Sequence, residues 1–207
     1  MSLLARCSLV LFFAVVGVTP CVGSAAASPA ASFPVSTEGA RRLAADSDTT
    51  QGRRLWYERF VERDVTDDGR ADTLLLRAYG TRGDSLRMLF VIVTEGREVF
   101  RATWLSGSDL IGAPLPPNPP RAVVDSYMRS TLDGFFNHLT LAPLDTSSTW
   151  GLGSTDCREG PAECRAIEAD IRRNTKYQLH VAYGYEANET IAWSTRAHRF
   201  FIIGGCC

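Results

Sequence analysis

The stretch SLRMLFVIVTEGREVFRATW, residues 85–104, decides how this chain folds. Leu86, Met88, Phe90 and Ile92 fall on one side of a two-residue alternation; Leu89, Val91 and Val93 fall on the other. A strand that is apolar on both faces must be covered on both faces, so this one belongs inside a sheet. Glu95-Gly96 stands where a tight turn is needed, because glycine takes positive φ without a Cβ clash. Residues 99–104 then return as the antiparallel partner.

Working outward, residues 73–79 (TLLLRAY) read as a strand, as do residues 55–64 (LWYERFVERD). Downstream, GAPLPPNPP at 112–120 holds five prolines and can be neither helix interior nor central strand. Its end suits a helix start, with Asn118 as cap and Pro119 in the first turn. Val124, Tyr127, Met128, Leu132, Phe135, Phe136 and Leu139 follow at helical spacing and form one apolar stripe. Such a stripe predicts a helix packed on a sheet. Residues 164–173 predict a second helix, with Ile167 and Ile171 four apart and Arg172-Arg173 suited to its C-terminal end. YQLHVAYGY, ETIAWS and HRFFIIG predict three more strands, with turns at 186–188 and 194–197. The expected fold class is α+β: an antiparallel sheet of about six strands covered by two helices, in a single domain over residues 53–207. No repeat period is present.

The N-terminus is of another kind. Arg6 precedes an apolar run from Leu9 to Val18, and small residues follow, with Ala25 and Ala27 spaced as an A-x-A cleavage site requires. The run is shorter than the roughly 20 residues of a spanning helix. Residues 1–27 therefore read as a secretory signal peptide and residues 28–52, rich in Ser, Ala, Thr and Pro, as a flexible leader. Pro20 directly before Cys21 is a poor fit to a lipoprotein signal. An exported location is expected: periplasm, extracellular space or cell surface.

Lys plus Arg is 22 against 23 for Asp plus Glu, so no bulk positive charge exists to hold nucleic acid. Of six cysteines, Cys157, Cys164, Cys206 and Cys207 lie beyond the signal, and an even number in an exported chain points to two disulfides. Joining the neighbours Cys206 and Cys207 gives a strained ring, so the pairings expected are the two that tie Cys206 and Cys207 back to Cys157 and Cys164. No CxxC spacing supports zinc.

The most chemically specific stretch is DVTDDGRAD, residues 64–72. Side-chain oxygens recur at Asp64, Thr66, Asp68 and Asp72; Gly69 permits a sharp turn; the carbonyl of Arg70 adds a backbone oxygen. Calcium takes six to eight hard oxygens in flexible geometry, and a loop with an oxygen at every second residue curls them around one point. Asp67 points out of such a ring. The pattern D-x-[ND]-x-D-G-x-x-D between two strands resembles the calcium loop of FG-GAP and VCBS-type repeats, and the first part of an EF-hand or dockerin loop. The resemblance spans about a dozen residues in a single copy. Thr66 stands where those families carry Asn or Asp, and Leu75 where an EF-hand carries its bidentate Glu. It implies a structural calcium site at Asp64, Thr66, Asp68, Arg70 and Asp72.

GxSxG, HExxH, SxxK and P-loop motifs are absent. His138, His180 and His198 sit among apolar residues, and Glu58, Glu62, Glu186 and Glu189 have no partner readable in sequence. Asn188-Glu189-Thr190 is a glycosylation sequon. The expected role is an exported, non-enzymatic, calcium-stabilised domain that binds a partner or the envelope. The alternative is a small secreted hydrolase whose site is assembled from scattered residues.

Overall fold

The computed structural model describes residues 54–147, 150, 152, 157–158, 160–183 and 187–206. The signal peptide and leader expected over 1–52 lie outside these residues, as do Arg53, Glu186 and Cys207.

The chain is α+β, but the strands form two antiparallel sheets of four, not one sheet of about six. The first is a meander of β1 (Leu55–Arg63), β2 (Asp72–Tyr79), β3 (Arg87–Thr94) and β4 (Arg97–Leu105). The second is a meander of β5 (Thr140–Pro143), β6 (Tyr177–Tyr183), β7 (Ala187–Ser194) and β8 (Arg199–Cys206). The reason for two sheets is the run between them: residues 106–139 carry the prolines and a helix, and among the described residues no strand pairs across that gap. Strand β5 was invisible to alternation, being four residues (TLAP) that end on a proline.

The central hairpin forms as its sequence requires. Val91 pairs with Leu75 on one side and Arg101 on the other, which places β3 between β2 and β4. Glu95 and Gly96 both take positive φ, 50° and 78°, the conformation of a two-residue hairpin turn whose twist matches its strands.

Alternation divides each sheet into two faces. Leu74, Leu76, Met88, Phe90 and Ile92 of the first sheet join Leu179, Val181, Ile191 and Phe200 of the second in one buried core. Phe100 of β4 meets Phe200 of β8 edge to face at 6.5 Å, so these two edge strands close one side of the layered pair. Burying a side chain of this size contributes about 1.5–3 kcal/mol.

Helix α1 (Arg121–Gly134) and the short 3₁₀ turn after it add Leu132, Phe135 and Phe136 to the same core. The helix starts three residues after Asn118, with Pro120 at the cap, so the expected Asn118 cap is not made. Its end is tied to β1: Tyr57 donates to Asp133 at 2.7 Å, and the Arg63 guanidinium donates to the Phe136 carbonyl at 3.2 Å.

Helix α2 (Pro161–Asn174) lies on the outer face of the second sheet, where Ile167 and Ile171 meet Ala192, Phe201 and Ile203. The outer face of the first sheet holds a separate buried cluster of Leu75, Tyr79, Leu89, Val91 and Val93. No helix among the described residues is long and apolar enough to cross a membrane.

The disulfide expectation needs correction. Cys157 is bonded to Cys164, with Cα atoms 5.7 Å apart, and not to Cys206 or Cys207. Gly160, at φ 94°, turns the chain into α2. The first helical turn, closed by Cys164 N–H donating to the Gly160 carbonyl at 3.0 Å, brings Cys164 back over Cys157. Cys206 ends β8, and its side chain lies outside the description.

Candidate functional site

The Asp64–Asp72 segment links β1 to β2, as its place between two predicted strands requires. Asp64 organises the turn: its two carboxylate oxygens accept the N–H groups of Asp68 at 3.2 Å and Gly69 at 2.9 Å. Gly69 takes φ 83°, and Asp68 accepts the Arg70 N–H at 2.8 Å. These are the side-chain-to-backbone bonds that make aspartate a turn former.

Asp72 does something different. Only 1 % of it is exposed. One oxygen accepts Val65 N–H at 2.9 Å, Thr66 N–H at 3.1 Å and Thr66 Oγ at 3.2 Å, and the other accepts Thr94 Oγ at 2.7 Å. Burial raises its pKa and these hydrogen bonds oppose the shift, leaving it above the ordinary value. Asp72 therefore stitches the loop to the β3 end, with Thr66 turned in beside it.

The remaining charges face outward in pairs. Asp67 meets Lys176 at 2.7 Å, and Arg70 meets Glu95. Of the five residues expected around an ion, Asp68 presents an exposed carboxylate, Asp64 is half-buried with its two oxygens on the Asp68 and Gly69 N–H groups, Arg70 is exposed, and Thr66 and Asp72 are committed inward. No three His, Cys, Asp or Glu side chains among the described residues converge as a metal-binding group. The fit to calcium thus rests on the exposed Asp68 carboxylate, with the Asp64 carboxylate beside it already accepting two N–H groups.

A second feature is a groove of about 290 Å³ between β4 and β8, lined by residues 98–101 and 199–202. Both strands are sheet edges. Glu98 and Arg101 pair through two hydrogen bonds at its rim, and the Arg199 guanidinium lies 4.4 Å from the Phe201 ring centroid. Arg97 donates to the His198 carbonyl at 2.8 Å and draws the two edges together beside it. The groove offers paired and stacked charged side chains over aromatic rings that are themselves buried.

Two of the three histidine rings have partners within the fold. His180 shares hydrogen bonds with Thr190 Oγ at 2.9 Å and the Gln178 amide at 3.3 Å. His198 lies in the β7–β8 turn, one residue short of the strand expected to hold it, against Trp193 at 6.4 Å. Exposed His138 closes the turn after α1 by donating its N–H to Phe135. Among the described residues none of the three bonds to a carboxylate. Glu58 pairs with Arg77 at 2.7 Å, Glu189 accepts the Tyr183 hydroxyl at 2.8 Å, and Glu62 is exposed on β1. Tyr183 is consequently held far above its ordinary pKa, by burial first and by the Glu189 charge second. The sequon residue Asn188 lies within β7, opposite Cys206, and not in a turn.

Two acids went unnoticed in the sequence. Asp109 follows β4 in a short 3₁₀ turn, 9 % exposed, and accepts the Trp104 indole N–H at 3.2 Å. Burial pushes its pKa up to about 6. Asp170 of α2 accepts four hydrogen bonds, from Ser194, Thr195, Asn174 and the Arg196 N–H. Burial acts to raise its pKa, but the four donors outweigh it and hold the group at about 2. No motif marks either residue, since the partners lie on other elements. Comparison with family models, curated proteins and solved structures returned no match to this chain.

Proposed function

We propose that this protein is an exported, non-enzymatic domain that binds a partner or the cell envelope. The observation that carries the reading is the use made of its reactive side chains. His180 serves a strand and His198 a turn, and among the described residues none of the three histidines bonds to a carboxylate, which supports binding over acid–base chemistry. The Cys157–Cys164 bond supports export, because disulfides persist in oxidising compartments. The groove between β4 and β8 is the surface assigned to recognition, through Arg199 and the Glu98–Arg101 pair.

The reading is tested by co-sedimentation of the mature protein with the envelope fraction of the cells that make it. Arg199→Glu is expected to weaken retention at least tenfold without changing the melting temperature. Equal retention of both proteins, or none of either, would sink it.

Calcium belongs to this proposal as a stabilising ion on Asp64 and Asp68 at the loop's outer side. One observation favours the hydrolase alternative: Asp109, with a pKa of about 6 beside Trp104, is a buried acid of the kind found in catalytic sites. Turnover of ester, glycoside or peptide chromogenic substrates that disappears in Asp109→Asn would replace the binding reading by that one.

A further inference from the structure

The turn after β4 hangs between two fixed points. Upstream, Ser106 is buried and joined to Leu86 twice: its N–H donates to the Leu86 carbonyl at 3.0 Å and its hydroxyl accepts the Leu86 N–H at 2.9 Å. Downstream, the prolines of 114–120 stiffen the chain. Two glycines stand between these points: Gly107, where a Cβ would meet open space, and Gly112, at φ 72°. They let residues 107–112 swing as a flap. The backbone hydrogen bonds of the flap are local: Asp109 N–H to Ser106 at 3.0 Å, Leu110 N–H to Gly107 at 3.3 Å and Ala113 N–H to Leu110 at 3.1 Å. Among the described residues, the side-chain hydrogen bond that ties the flap to another element is the one from the Trp104 indole N–H to Asp109 at 3.2 Å. That tie suits a neutral acid better than an anion. Asp72 and Asp170 each accept four hydrogen bonds, whereas Asp109, 9 % exposed, takes Trp104 and its own N–H.

We propose that residues 107–112 form a proton-operated flap, closed on Trp104 while Asp109 is neutral and released, carrying its carboxylate into water, once Asp109 ionises. The surroundings of Trp104 favour this. Its ring packs on Phe135 of the 3₁₀ turn after α1 and on Tyr183 of β6, and it pairs with Met88 of β3. Tyr183, the titratable group on that side, donates to Glu189 of β7 and is held neutral by burial first and by that charge second. No charged side chain contributes to the shift of Asp109; burial raises its pKa to about 6. A buried anion with so few donors is costly, and a flap between glycines can return it to water where a strand residue such as Asp72 could not. Proton linkage sets the size of the effect. With an ordinary value of 3.8 for the solvated carboxyl, the ratio of closed to open flap falls about tenfold from pH 5 to pH 7. Opening uncovers the Trp104 indole where the two sheets meet.

Hydrogen exchange of the mature chain at pH 5 and pH 7, corrected for intrinsic rates, tests the proposal. Protection of the amides at 109, 110 and 113 is expected to fall about tenfold between the two, with β6–β8 unchanged. Asp109→Asn is expected to keep equal protection at both. Tryptophan emission is expected to shift to the red over the same range, and Trp104→Phe, which keeps a ring against Phe135 and Tyr183, is expected to remove that shift. Equal wild-type protection at pH 5 and pH 7 overturns the proposal, as does a fall of the same size in Asp109→Asn. An emission shift that persists in Trp104→Phe also overturns it, because the proton then acts elsewhere.

Discussion

Ser194 donates its hydroxyl to Asp170 at 2.7 Å, and through that bond a helix holds the turn of a hairpin. The same carboxylate takes Thr195 Oγ at 2.8 Å and the Arg196 N–H at 2.9 Å, while Arg196 reaches back to Glu163 on the helix at 2.7 Å. The β7–β8 turn and α2 are therefore one unit, closed by charge-assisted bonds at the end of an apolar contact.

Asp170→Ala is expected to cost about 2 kcal/mol, since it strands several donors that shared one charged acceptor. For a domain of this size that lowers the melting temperature by roughly 4–8 °C. The pH dependence has a definite sign. With its folded pKa held at about 2 against an ordinary 3.8, Asp170 contributes fully above pH 4 and loses its contribution as pH falls through 2. Urea unfolding at neutral pH and near pH 2 should show a gap between wild type and variant that closes in acid. A gap that persists in acid would show that lost packing, and not the carboxylate, was measured.

Asp109 has the opposite sign. Its folded pKa is raised from 3.8 to about 6, so between those values the folded state holds the proton more tightly than the unfolded one. Stability therefore falls as pH rises from 4 to 6, by on the order of 2 kcal/mol. Asp109→Asn removes the buried charge and keeps an oxygen for the Trp104 indole. The variant should be more stable than wild type above pH 6 and equal to it near pH 4, as thermal melts across that range would register.

The Cys157–Cys164 bond closes a loop with a sequence separation of 7, so its effect on the unfolded chain is modest. The chain-entropy model gives about 2–3 kcal/mol for so short a loop. Reduction should lower stability by that amount and speed exchange in the first turn of α2, leaving β1–β4 unaffected. Peptide mapping without reduction should recover residues 157 and 164 in one linked fragment. A fragment joining either of them to residues 206–207 would contradict the assignment.

Calcium should act weakly. With Thr66 and Asp72 turned inward, Asp68 and the already hydrogen-bonded Asp64 remain for the ion, which suits a dissociation constant near 1 mM. Stabilisation is then about 0.4 kcal/mol at 1 mM calcium and about 1.4 kcal/mol at 10 mM. Melting temperatures in about 10 mM calcium and in EDTA should differ by roughly 3–5 °C. Asp68→Ala should abolish the difference. Identical wild-type melts would remove calcium from the description of this protein.

What could be read from sequence followed the range of the forces involved. The alternation of residues 86–93 correctly put Phe90 and Val91 on opposite buried faces, because period-two pleating is local. The Glu95-Gly96 turn and the Val124, Met128, Leu132 stripe were legible for the same reason. The division into two sheets was not, since it depends on which strand edges meet, and β5 is too short to show a period. The loop's polarity was plain, but not the direction of Asp72, which Thr94 sets from 22 residues away. Asp109 and Asp170 were unreadable because burial made the first, and a turn on another element made the second, into special groups.

The strand order carries a consequence for how the molecule is made. Every ladder among the described residues joins strands that are neighbours in sequence; the first meander closes only short loops and can form early, whereas the β5–β6 connection runs over residues 144–176 and carries α2. The first sheet is complete at Leu105, yet Leu132, Phe135 and the strands from β5 onward, which cover its core side, come later in the chain. During synthesis, Phe90, Met88 and Ile92 would therefore face solvent until the second half arrives. That interval is when the chain is most exposed to aggregation and most in need of a chaperone, and the docking of the two halves, not the pairing of strands, would limit the folding rate.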